Sequence, residues 1–415
     1  MRIQSQFLIV DCQRVLANAQ IEVQDGRIIA LHEAPQVQPD LWLHQSVLLP
    51  GLINAHTHLE FSDLANPLPR GDNFPAWIAS VVQRRRDQSR GLDAAQLETL
   101  RASAIQAGLR ECENFGTALL VDIVTQPWHR SWLQDPSGNH GTRQGAPTQV
   151  LALAEVLGLE AKRLHDAAQW ARQAMQPEPL GDPAWRLIGT GVSPHATYSV
   201  LPQVCEQLSQ FPNELPMAMH VAESLEELQW VEQAGGPFRE FFKSIGLPLD
   251  QPRMQISEAI ELLASRPRSL LVHGNYLSTD ELDAIARTSI AMVYCPRTHQ
   301  HFQHRRYPLP EAIQRGIPLL IGTDSRASNP DLNVWLDCKT ALSLFPEWTP
   351  KAALNAITGQ AARVLGVDEN LGSLEEGKLA WLNVVPTPPG ANPEHLIELL
   401  LSKDFSECPR RLEFP

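Results

Sequence analysis

The chain has few cysteines and no paired-cysteine motif. It also lacks an excess of positive charge and a long apolar run. Each absence excludes a class of protein. Six cysteines (Cys12, Cys112, Cys205, Cys295, Cys338 and Cys408) are scattered over 415 residues with no C-x-x-C among them. That pattern argues against a disulfide scaffold and a cysteine-ligated zinc site, and it fits reduced thiols in a cytoplasmic protein. Lys and Arg number 34 against 47 Asp and Glu, a formal charge of −13 at pH 7. Nonspecific nucleic-acid binding needs a basic surface, so no nucleic-acid partner is expected. Nothing points to a membrane partner either: the early apolar run Phe7 to Val10 is too short for a signal-peptide core, and no run approaches a membrane span. G-x-G-x-x-G, a phosphate loop, H-E-x-x-H and G-x-S-x-G are all missing. No internal repeat or low-complexity tract is present.

What is there reads as a large soluble α/β protein. The hydrophobic fraction is 43%, that of an ordinary globular chain. The first fifty residues alternate short β-type runs with turns: Phe7 to Val10, Ala19 to Val23 and Arg27 to Leu31, with Asp25-Gly26 as a hairpin turn. The tail from Gly372 repeats this style, with Gly377 to Val385 reading as a turn and then a strand. Residues 1–50 plus 366–415 are therefore expected to form a small composite β domain of sandwich type. The middle, 51–365, alternates apolar runs with helical patterns. Strands are predicted at Thr117 to Asp122, Val150 to Leu157, Leu187 to Gly191, Pro216 to His220, Ser269 to His273, Ile290 to Tyr294 and Ile317 to Gly322. Helical stretches between them include Ala94 to Phe115, Leu159 to Met175, Leu225 to Gln233, Thr279 to Arg287 and Asn333 to Leu344. With the strand before His56 this makes eight units, which points to a (β/α)8 TIM-type barrel. A doubly wound open sheet is the alternative. Gln126 to Gln149 and Thr298 to Pro310 read as loops.

The sequence Leu49-Pro50-Gly51-Leu52-Ile53-Asn54-Ala55-His56-Thr57-His58 ends an apolar run in two histidines one residue apart. On a strand, such residues share a face, so both imidazoles can aim at one metal ion. Barrel enzymes act at the C-terminal ends of their strands, and capable residues recur there: His195, His220 with Glu223, His273, Cys295-Pro296-Arg297 and Asp324.

Together P-G-L-I-N-A-H-T-H, S-P-H-A-T-Y-S, M-H-V-A-E-S, V-H-G-N-Y-L and G-T-D-S-R-A-S-N resemble the amidohydrolase superfamily, in the branch of metal-dependent deaminases and chlorohydrolases of aminated nitrogen heterocycles. The resemblance implies metal ligands at His56, His58, His220 and Asp324. One divalent ion is expected, zinc first, with iron or manganese open. No lysine lies within Ile188 to Ser199 to bridge a second metal. The resemblance further implies that Glu223 passes a proton to a ring nitrogen, that His273 bonds the attacking water or developing oxyanion, and that Asp324 takes the water proton. His195 is assigned to substrate.

Bland alternatives stand beside these roles. Glu223 fits a cap for the helix near Ser224, Asp324 a helix-entry cap, and His195 a structural loop residue. The run Arg84 to Arg86 reads as a solvated helix face. Arg297 and Arg326, near the barrel mouth, suit a substrate carboxylate bound bidentately; the alternative is that they pair with acids and fix loops. The function implied is hydrolytic release of ammonia from an aminated purine nucleoside or related N-heterocycle, a carboxylate-bearing one such as aminofutalosine included. A chlorohydrolase or cyclic amidase, or a noncatalytic binding barrel, are the alternatives. Oligomeric state, a homodimer among the options, is open.

Overall fold

The computed structural model describes residues 1–35, 37–134, 147–175 and 186–413. Strands β1 (Arg2–Ile9), β2 (Val15–Ala17), β3 (Gln20–Gln24), β4 (Arg27–His32) and β5 (Leu41–Pro50) come from the start of the chain. They are followed by β6 (Leu52–Thr57), β7 (Thr117–Val124), β8 (Gln149–Val156) and β9 (Leu187–Pro194), then β10 (Ala218–Val221), β11 (Leu270–His273), β12 (Ala291–Tyr294) and β13 (Leu319–Ile321). Near the end lie β14 (Leu382–Pro386) and β15 (Arg410–Arg411).

Strands from both ends of the chain share one seven-stranded sheet of order β15-β14-β5-β1-β3-β4, with β2 on β1. The β3–β4 hairpin turns at Asp25 and Gly26, both with positive φ, as the right-handed strand twist favours. The antiparallel β5–β14 pair, with Asn383 opposite Leu49, ties the late strand to the segment that leads straight into β6. One face of the sheet buries Ile3, Leu8, Ile21, Ile28, Leu48 and Leu382.

The middle of the chain forms two four-stranded parallel sheets, β6-β7-β8-β9 and β10-β11-β12-β13. Their strands are buried along almost their whole length, which is why they read as continuous apolar runs. The two sheets meet at two seams of isolated parallel bridges, Thr57 with Asp324 on one side, and Val192 with Met217 and Ala196 with His220 on the other. This is an α/β fold with parallel sheets, consistent with a TIM-type barrel. Helices begin where capping chemistry dictates. Ala94–Asn114 starts on a reciprocal Asp93–Gln96 capping box, and Leu225–Gln233 starts on Ser224, whose hydroxyl accepts the Glu227 N–H.

Two loop expectations need correction or qualification. Within Thr298 to Pro310 the chain is partly helical, as Pro296–Phe302 and the start of Leu309–Gln314, because prolines at the first turns favour helix entry and Gln303 closes the first helix in a left-handed conformation. The loop expected over Gln126 to Gln149 contains a short 3-10 turn at Arg130–Leu133, and its residues 135–146 lie outside the described residues. No described helix is long and apolar enough to cross a membrane.

Candidate active site

His56 lies in β6 and His58 directly follows it; His220 lies in β10, on the other sheet. Their Nε2 atoms converge. His220 Nε2 is 3.2 Å from that of His56 and 3.4 Å from that of His58. His220 Nδ1–H donates to the His195 carbonyl at 2.7 Å, which leaves its Nε2 as the bare lone pair. Burial lowers the pKa of all three, His220 to about 4 and the other two well below the usual imidazole range, so they are neutral. Asp324 follows β13 and sits in a left-handed conformation (φ 59°). Its Oδ1 is 3.7 Å from Nε2 of both His56 and His58. The seam places it there: Asp324 N–H donates to the His56 carbonyl, and Asn54 and Thr323 exchange two hydrogen bonds. Gly322 is required at this closure, since a Cβ there would stand 2.7 Å from His56 Cβ.

Glu223, His273 and Asp324 form a second convergent group, all buried. His273 Nε2 is 3.4 Å from Glu223 Oε1. Burial, with the negative charges of Asp324 and Glu227 behind it, raises the Glu223 pKa well above the usual carboxyl range, which favours its protonated form. Burial also raises Asp324 to about 7, against hydrogen bonding from Ser328. Neither acid is a helix cap. The cap of Leu225–Gln233 is Ser224, and Asp324 accepts from Ser328 Oγ at 3.0 Å.

These groups open into a cavity of about 400 Å³, within the range of small-molecule sites. Phe61, Phe74, Trp77 and Tyr198 supply apolar wall, and His195 lines it with Nδ1 paired to Ser199 Oγ at 2.6 Å. Arg297 and Arg326 do not line it. The Arg297 guanidinium is held by Asp337 (2.8 Å) and Asp331 (2.7 Å), and that of Arg326 by Glu111 (2.6 Å) and the Leu64 and Ala65 carbonyls. Both have their donors spent on fixing loops, so the substrate-binding expectation is corrected to the alternative. The arginines on the cavity wall are instead Arg85, Arg86 and Arg163. Arg85 is only part of a solvated face: its side chain is 38% exposed, but it pairs with Glu60 at 2.6 Å and lines the cavity.

The sequence model of the amidohydrolase family matches residues 47–407, most of the chain. The chain belongs to the amidohydrolase family. The aminodeoxyfutalosine deaminase of Deinococcus radiodurans is 29% identical over 336 residues, covering 77% of this chain and 74% of that protein. The fold matches Helicobacter pylori aminofutalosine deaminase in complex with methylthio-coformycin, with TM-score 0.76 and 22% identity over 99% of this chain and 98% of that one. It also matches the zinc-complexed atrazine chlorohydrolase of Arthrobacter aurescens, with TM-score 0.68 and 18% identity over 95% and 90%. This amidohydrolase is accordingly an enzyme, a hydrolase of carbon–nitrogen bonds other than peptide bonds.

Three buried acids of this amidohydrolase escaped the sequence reading. Asp122 in β7 accepts the Leu59 N–H at 2.9 Å and holds the turn after His58. Glu227 accepts the Ala222 and Glu223 N–H groups at 3.1 and 2.7 Å, together with the Thr197 hydroxyl. Glu155 ends β8 on the cavity wall. Each acid interrupts an apolar strand or follows one closely, the signal that did pick out His220.

Proposed function

We propose that the chain is a metal-dependent aminohydrolase that releases ammonia from an aminated purine nucleoside or closely related N-heterocycle. The observation that carries this reading is the meeting of two groups around Asp324: His56, His58 and His220 with converging Nε2 atoms, and Glu223, whose pKa is raised by burial, beside His273. The bare Nε2 of His220 lies 3.2 to 3.4 Å from the Nε2 atoms of His56 and His58, and His56 Nδ1 is buried with no hydrogen-bond partner, so the three rings do not satisfy their nitrogens among the described residues. A divalent cation satisfies them, and His56, His58, His220 and Asp324 would hold it. We take zinc as that ion, in line with the zinc-complexed fold relative. When bound, such an ion lowers the pKa of water and supplies a nucleophile at neutral pH.

The chain's own residues then handle protons and position. Asp324 accepts the water proton at a carboxylate oxygen. Glu223 donates its proton to the ring nitrogen beside the attacked carbon, neutralising charge as the ring is loaded. His273, 3.4 Å from Glu223, steadies oxygen at the reacting carbon and keeps Glu223 oriented. The bond from the attacked carbon to its exocyclic nitrogen breaks as that nitrogen takes the proton held by Asp324 and leaves as ammonia, and the hydroxyl proton of the adduct returns to Glu223. His195 contacts substrate from the cavity wall. Arg86, a cavity-wall arginine with no acid partner among the described residues, together with the curated deaminase relative, favours an adenine nucleoside extended by a carboxylate, as in aminodeoxyfutalosine; Arg85 and Arg163 on the same wall are paired with Glu60 and Glu160.

The same reading takes the two parallel sheets as one (β/α)8 barrel, supported by the bridges at both seams. Residues 51–365 make up that barrel, and 1–50 with 366–415 a small sandwich-like domain. The test is ammonia release by zinc-loaded protein from a panel of aminopurine nucleosides, aminopterins, and amino- and chlorotriazines. Turnover of the nucleosides supports the proposal. Chloride release alone, or no turnover of any compound, contradicts it.

A further inference from the structure

Glu155 is a buried acid on the cavity wall with no part in the chemistry above. Its residue surface is 8% exposed, and that exposure is to the cavity. Among the described residues, no donor makes a hydrogen bond to its carboxylate. The nearest partner is His195 Nε2 at 3.9 Å, outside hydrogen-bond range, and the other nitrogen of that ring is engaged by Ser199. Glu223 likewise faces the cavity with no hydrogen bond to its carboxylate among the described residues, but it has a part in the chemistry above and His273 at 3.4 Å. The other neighbouring buried carboxylates differ. Asp122 accepts from Leu59 and Thr57, Asp324 from Ser328, and Glu227 from three donors. Buried polar groups in folded proteins are nearly always hydrogen-bonded. One that faces a ligand cavity without a partner waits for a donor on the ligand.

Position and charge define that donor. The His195 ring lies 5.0 Å from the His220 ring, centroid to centroid, so Glu155 stands one side chain outside the metal-ligand histidines. A substituent on a heterocycle reacting at those histidines reaches this wall. Arg85, Arg86 and Arg163 line the same cavity and disfavour a cationic substituent. A hydroxyl donates without adding positive charge.

We propose that Glu155 is a substrate-binding residue that accepts hydrogen bonds from the hydroxyl groups of a sugar ring carried by the heterocycle. The assignment rests on the aminohydrolase reading and deepens it: it names the side chain that holds the sugar of the nucleoside proposed above. A site built around a buried acceptor rejects an analogue that lacks the donor, here by on the order of 10²-fold or more.

The experiment compares adenosine with 2′,3′-dideoxyadenosine on the zinc-loaded full-length protein, wild type against Glu155→Ala and Glu155→Gln. Readouts are kcat/KM for ammonia release and, separately, Kd by titration calorimetry. Zinc content and Tm of each variant confirm that it is folded and loaded. The wild type should prefer adenosine by about 10²-fold or more. Glu155→Ala should process the two within about threefold of each other by losing adenosine activity, and Glu155→Gln, with one acceptor oxygen left, should fall between. Equal use of the two nucleosides by the wild type overturns the proposal, as does a preference that survives in Glu155→Ala. Adenosine binding that exceeds dideoxyadenosine binding only when Glu155 is present, with no ammonia released, keeps the hydroxyl subsite and removes the deaminase reading. Binding of neither nucleoside overturns both.

Discussion

Glutamine at position 155 should make the free enzyme more stable, and increasingly so as the pH rises. Burial lifts the folded-state pKa of Glu155 from 4.5 to about 7, against the pull of Arg85. Below pH 4.5 the carboxyl is protonated in folded and unfolded chains alike and has no effect on their balance. From pH 4.5 to about 7 the unfolded chain ionises first, so each step up in pH favours unfolding; above about 7 the whole penalty is present. At roughly 1.4 kcal/mol per pH unit, a rise from 4.5 to about 7 amounts to about 3 kcal/mol. Glutamine has the same shape and no charge to bury. It also forfeits no hydrogen bond from the described residues, since Glu155 accepts none. For a chain of 415 residues, about 3 kcal/mol corresponds to a Tm change of roughly 3 °C. The assay is Tm of wild type and Glu155→Gln, both zinc-loaded, from pH 5 to pH 8. Titration of the metal ligands is common to both proteins and cancels in the difference. The variant should gain little at pH 5 and roughly 3 °C at pH 8. A pH-independent difference, or a variant that melts lower at pH 8, would refute the argument that an unpartnered carboxylate is buried there. Natural sites often carry such a stability cost where a group is kept ready for a ligand.

Glu223→Gln should lower kcat by about 10² to 10⁴-fold while zinc stoichiometry stays at wild-type level, because the proton donor is removed and the four proposed ligands are not; kinetics with metal analysis checks this. Glu227→Gln leaves one of the Ala222 and Glu223 N–H groups facing an amide NH2 instead of a carboxylate oxygen. The resulting displacement of Glu223 should reduce kcat roughly 10 to 10²-fold with KM changed far less, and a parallel rise in KM would argue for a substrate contact instead. Gly322→Ala forces a Cβ to within 2.7 Å of His56 Cβ and 3.0 Å of its backbone nitrogen. Thermal denaturation and a zinc titration should show about 1 to 3 kcal/mol of lost stability together with weaker metal binding.

Legibility from sequence followed distance along the chain. The H-x-H pair, the apolar strands and the acids and histidines that end them are local patterns set by strand periodicity, and the structure places them as parallel strands whose ends share a cavity. Pairing between distant loops was not legible. Arg297 and Arg326 look available in sequence because Asp337, Asp331 and Glu111, which absorb their charge, come from other elements. Arg85 looks solvated within a charged helix, and only the packing of Phe74–Ser89 over the strand ends turns it to the cavity and Glu60. The helix at Pro296–Phe302 was hidden by its polar composition, although Pro296 at its first turn was a readable signal. Glu155 was readable as well. An acid next to the end of an otherwise apolar strand is the same clue as His220.

The most direct test of the metal-centred account is to purify the protein natively, count its divalent ions, and follow ammonia release from adenosine-type nucleosides before chelation, after chelation and after zinc is restored. One ion per chain should be found, activity should disappear and return with it, and His56→Ala and Asp324→Ala should lose both ion and activity. Ammonia release that persists in the fully chelated protein, or a wild type that binds no ion when zinc is supplied, would contradict the account.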